Sequence, residues 1–83
     1  MIKNEILLIK AKIADKKKCL KELELKADNC IITIRNLIDP YVEDFTTLKI
    51  ENARTAMEDL YKLYLEAKTL KEQIKRLESE IDG

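Results

Sequence analysis

Without a single histidine, the chain cannot build an imidazole-assisted serine or cysteine nucleophile. Any metal would have to rely on carboxylates and thiolates alone. The two cysteines, Cys19 and Cys30, are eleven residues apart, which on one helix is a separation of about 16 Å. No disulfide spans that distance, and the spacing is not that of a CxxC redox or metal motif. Cys30 falls on an apolar seam and reads as a small buried hydrophobe, while Cys19 is the thiol that could cross-link two chains. The many carboxylates include no inward Glu-x-x-His pair, so a carboxylate metal site is not expected. The lone glycine is the last residue, leaving no glycine-rich loop to cradle phosphate. Neither a cofactor nor a metal is expected, and the chain reads as no enzyme.

The remaining chemically distinctive group is basic. Lys16, Lys17, Lys18 and Lys21 lie within six residues, and such a cluster, doubled by symmetry, could meet phosphate backbones. Against it, no aromatic accompanies the lysines and the 16 basic residues are matched by 16 acidic ones, so no overall field draws the chain to nucleic acid or an anionic surface. A solvated lysine face is the plainer reading, with nucleic-acid binding the alternative.

Two apolar ridges define the helices that carry these residues. From Ala53, steps of three and four give Ala53, Ala56, Leu60, Leu63, Ala67, Leu70, Ile74, Leu77 and Ile81, with charged residues between. This is the seam of a coiled-coil helix. A matching ridge runs Ile2, Ile6, Ile9, Ile13, Lys16, Leu20, Leu23, Ala27, Cys30, Ile34 and Leu37, with Lys16 its only polar member. A lone seam lysine either fixes register at some cost in stability or snorkels outward along its stem. Charged residues make up 39% of the chain and proline occurs once, the composition of long helices.

Pro40 interrupts the two ridges, so helix 1 should stop near Ile38. Thr46 or Thr47 could cap helix 2, or Asp39 could do so with Pro40 in the first turn. Ile34 and Ala53 hold equivalent seam positions nineteen residues apart, which in one unbroken helix would turn their faces roughly 100° from each other. A reversal lets the seams face instead. The expected fold is therefore all-α, an antiparallel two-helix hairpin of coiled-coil type in one domain spanning 1–83. Helix 1 is expected at about 3–38, the turn at about 39–46 and helix 2 at about 47–81, with the reversal centred near Tyr41 to Glu43. Cys30 to Ile34 is rich in β-branched residues, and a short strand pairing with Phe45 to Ile50 is the competing local reading.

More apolar residues remain than one seam per helix needs. Ile50, Met57 and Tyr64 recur every seven residues beside the second seam, Tyr61 and Leu65 widen that strip, and Ile31, Ile38, Leu7 and Leu8 flank the first. Exposed strips of this kind mark association sites. The expectation is a homodimer of hairpins forming a four-helix bundle, or an adaptor or chaperone-like protein holding a partner's helix on Ile50, Met57, Tyr61, Tyr64 and Leu65. The arrangement resembles helical-hairpin chaperones such as prefoldin subunits in architecture alone, and no motif assigns a family. The lysines of 1–26 are expected to pair across the hairpin with Glu58, Asp59, Glu66 and Glu72. No run reaches the ~18 apolar residues of a membrane span, and the start of the chain lacks the pattern of a secretory signal. A cytoplasmic location with reduced thiols is expected, with no membrane role.

Overall fold

The computed structural model describes residues 3–82. Two long helices, α1 (Lys3–Leu37) and α2 (Ile50–Asp82), pack antiparallel, and a single turn of 3₁₀ helix (Phe45–Thr47) lies in the connection. The result is a hairpin 65 Å long and 17 by 15 Å across. Ile2 of the first ridge lies outside the described residues.

The ridges are what the helices bury. Every residue of α1 that is not exposed belongs to the first seam, from Ile6 to Leu37; on α2 the second seam, Ala53 to Ile81, gains only Gln73. In the connection Val42 and Leu48 are half-buried, and with Leu37 they line the small hollow that closes the turn end. The packed interior is nevertheless thin: among the described residues only Ile13, Leu23, Ala53 and Ile74 are buried, and each keeps 6–9% of its surface exposed. Two helices alone cannot enclose a seam on every side.

Cys30 to Ile34 is helix, and the described residues contain no strand. The low helix propensity of Ile and Thr amounts to at most ~0.7 kcal/mol per residue, and keeping Ala27, Cys30, Ile34 and Leu37 on the seam outweighs it. Thr33 turns its hydroxyl back to donate to the Asn29 carbonyl at 2.9 Å.

The turn is built differently from the sequence expectation. The Ile38 N–H donates to the Ile34 carbonyl at 2.9 Å, and Pro40 then ends the helical ladder. Asp39 accepts from the Tyr41 N–H at 2.9 Å, an Asx turn rather than a helix cap. Asp44 is the capping residue: its carboxylate accepts the Thr46 N–H at 3.0 Å and the Thr46 hydroxyl at 2.6 Å, and its carbonyl accepts the Thr47 hydroxyl at 2.7 Å. What it caps is the 3₁₀ turn, which occupies Phe45–Thr47 and delays α2 to Ile50, three residues beyond the expected start. Neither Thr46 nor Thr47 caps α2. The first bond of that helix runs from the Ala53 N–H to the Lys49 carbonyl at 3.0 Å.

The delay shifts the register. Lys16 Nζ donates to Gln73 Oε1 at 3.0 Å, and with α1 ending at Leu37 and α2 starting at Ile50, residues whose numbers add to roughly 87–89 lie level. The reversal is centred near Glu43 and Asp44, at the far edge of the expected Tyr41 to Glu43.

Candidate association surface

The side chains on either side of the seams make two unlike flanks. Lys17 Nζ stands 3.8 Å from Glu78 Oε2 across the hairpin. Helical side chains lean toward their own N-terminus, so in antiparallel helices these two lean toward each other. Ile31 and Ile38 are two and three heptads beyond Lys17, while Tyr64, Met57 and Ile50 are two, three and four heptads before Glu78. All five therefore lie on the flank that the ion pair identifies. The register places Ile31 level with Met57 and Ile38 level with Ile50.

These five residues form the walls of an apolar trough in the turn-side half of the molecule. They are 40% to 52% exposed, whereas Leu7, Leu8, Leu25, Ile32 and Tyr61, which point further outward, are 55% to 66% exposed. Tyr61 borders the trough: its ring stacks on that of Tyr64 at 6.2 Å between centroids, and it shares a shallow hollow with Met57 and Arg54. Lys68 Nζ lies 5.2 Å from the Tyr64 ring centroid, a cation–π contact worth about 0.5–1 kcal/mol in the open. Arg54 is occupied along its own helix by Glu51 at 4.0 Å and Glu58 at 3.5 Å.

Leu65 does not join this trough. It faces the opposite flank, where it lines an open groove of about 550 Å³ with Cys19, Leu23, Lys26, Glu66 and Leu70. Further along that flank, Lys12 and Glu80 border a second groove. Basic residues of α1 thus meet acidic residues of α2 there, and the flank is balanced in charge.

The Lys16–Lys21 cluster is divided by the helix. Lys16 is turned into the seam toward Gln73, Lys17 reaches Glu78, and Lys18 points away from α2. Lys21 shares a face with Lys17 and Lys18, four and three residues before it. Of the acids expected across from the lysine-rich middle of α1, Glu66 shares a groove with Lys26, whereas Glu58 bonds within α2 and the cross-hairpin ion pair among the described residues goes to Glu78. Glu58 and Asp59 lie level with residues 28–31, which include no lysine.

The assembled patch that sequence reasoning missed is on the trough's open half. Lys3, Lys10, Lys17 and Lys21 from α1 share this half with Lys68, Lys71 and Lys75 from α2, relieved by Glu24, Glu78 and Asp82. No stretch of the chain announces it, because half comes from each helix.

Both thiols are unbridged, Cys19 exposed and Cys30 half-buried on the seam. Among the described residues no three His, Cys, Asp or Glu side chains converge as a metal site, and no helix is long and apolar enough to cross a membrane. No family model matches the chain, and neither a curated protein nor a solved structure shows significant similarity to it.

Proposed function

We propose that this protein is a small non-enzymatic association module, working in the cytoplasm, whose apolar trough is covered by a helix from another chain. The observation that carries the reading is the pairing of a thin interior with a lined flank. Four buried side chains and the half-buried rest of the two seams hold the hairpin together, while Ile31, Ile38, Ile50, Met57 and Tyr64 from both helices stand half-exposed on one side. A third or fourth helix laid there would complete the enclosure of the seam and add apolar burial at ~25 cal/mol per Å².

Two occupants fit that role in kind: a second hairpin, giving a homodimeric four-helix bundle, and an amphipathic helix of a client or adaptor target. Nucleic-acid binding through Lys16, Lys17, Lys18 and Lys21 draws less support, since Lys16 is turned to Gln73 and Lys17 to Glu78.

The test compares the wild type with Met57→Lys combined with Tyr64→Lys, which charges the trough without touching the seam. Light scattering across concentration and affinity capture from the native host are read together. The proposal expects either a concentration-dependent mass or a captured protein that the double variant loses. A wild type that stays monomeric and retains nothing the variant does not also retain would overturn it.

A further inference from the structure

The trough has two halves of different chemistry, and together they select an occupant. The turn-side half is apolar; the open half carries Lys3, Lys10, Lys17, Lys21, Lys68, Lys71 and Lys75 against Glu24, Glu78 and Asp82. A chain with no net charge therefore concentrates positive charge along the same flank that bears its exposed apolar side chains, and the opposite flank is balanced. Resting on the reading of this flank as an association surface, we infer that its occupant is a single acidic amphipathic helix of a different protein. Its apolar stripe lies over Ile31, Ile38, Ile50, Met57 and Tyr64, and its carboxylates lie over the lysines of the open half.

A second copy of this chain fits poorly in each symmetric arrangement. A two-fold axis along the hairpin stacks apolar half on apolar half, but it also sets Lys17 of one copy over Lys71 of the other. An axis across the hairpin at its middle puts Met57 over the other copy's Lys71. Sliding the copies until only the apolar halves overlap avoids both contacts. It leaves the lysine-bearing half of each copy uncovered, so that only half of the flank is used. An acidic helix avoids the conflict, because it meets like with like in one half and opposite charge in the other. Phosphate polymers would use the lysines but leave the apolar walls wet, which favours a protein helix over nucleic acid.

The experiment titrates the whole protein, isotope-labelled for NMR, with two synthetic helices of about 28 residues, long enough to run ~42 Å along the trough. Both carry leucine at the same heptad positions; one has glutamate and the other lysine on the flanking positions. The glutamate peptide is expected to bind at least about tenfold more tightly, from several exposed pairs acting together. Its affinity should fall as salt rises, and amide shifts should cluster at Ile31, Ile38, Ile50, Met57, Tyr64 and Lys71. Lys17→Glu with Lys71→Glu should reverse the preference while leaving helicity intact. Equal binding of the two peptides, or shifts centred on Cys19, Lys26 and Glu66 instead, overturns the inference. So does tighter binding of a DNA duplex or of phosphatidylglycerol vesicles than of the glutamate peptide. If neither peptide binds but the protein dimerises through Met57, the acidic-helix inference fails and the association reading stands; if neither peptide binds and the protein neither self-associates nor captures a partner, both fail.

Discussion

Lys16, the one polar residue on its seam, donates from its ammonium to Gln73 Oε1 at 3.0 Å, and the bond spans fifty-seven positions of sequence. Its alkyl stem lies in the seam while its charged end reaches the edge, where the amide of Gln73 meets it. The contact combines the two sequence expectations for this lysine, since it snorkels and in doing so ties one helix to the other at a defined level.

A double-mutant cycle over Lys16→Ala and Gln73→Ala should return a coupling of about 1 kcal/mol by chemical denaturation. Lys16→Leu, which completes the seam, should raise stability by about 1 kcal/mol and Tm by several degrees. A coupling indistinguishable from zero would mean that the bond does not set the register.

The hairpin's stability should depend on the seam and hardly at all on the outer face. Leu23→Ala empties a buried seam position, and Leu25→Ala trims a side chain 66% exposed. The first should cost about 2–4 kcal/mol, most of what a small single core supplies, so helical circular dichroism should fall sharply. The second should stay within about 0.5 kcal/mol. Equal losses would place the core elsewhere.

The turn should respond to acid through Asp44. The Thr46 hydroxyl and then the Thr46 N–H donate to its carboxylate and hold its pKa below the usual carboxylate range. A carboxyl whose folded value is depressed contributes its stabilisation above the unfolded value, about 3.9 for Asp, and loses it as pH falls through the lower folded value. Carbon-detected NMR should find Asp44 titrating below the ordinary midpoint, and Thr46→Ala should move it upward by removing the hydroxyl donor. An unchanged midpoint in Thr46→Ala would contradict the capping role.

What could be read from the residues, and what could not, follows the range of the physics involved. The seams were legible because burial in a paired helix repeats every three and four positions, and the positions picked out by spacing are the ones that pack. Ile31 to Thr33 favoured strand locally, yet the burial of Cys30 and Ile34 on the helical seam prevailed. The register was not legible. It depended on whether Asp39, Asp44, Thr46 or Thr47 would cap, and on a 3₁₀ turn that consumes three residues before α2 begins. The meeting of Lys17 with Glu78 follows from that register, whereas Leu65 parts from Tyr64 simply because consecutive helical residues point about 100° apart. The basic half of the trough needed the same knowledge, since Lys21 and Lys68 become neighbours only once the register is set.

Every statement about the flanks depends on α1 and α2 lying antiparallel with the reversal near Asp44. Spin labels on the exposed Cys19 and on Thr69→Cys, in a Cys30→Ala background, measure this directly, because Cys19 and Thr69 border the same groove. Helices packed 8–10 Å apart should give a single narrow distance of roughly 20 Å once the label arms are included. A distance near 75 Å, that of fifty residues along one straight helix, would contradict the hairpin and the two flanks with it.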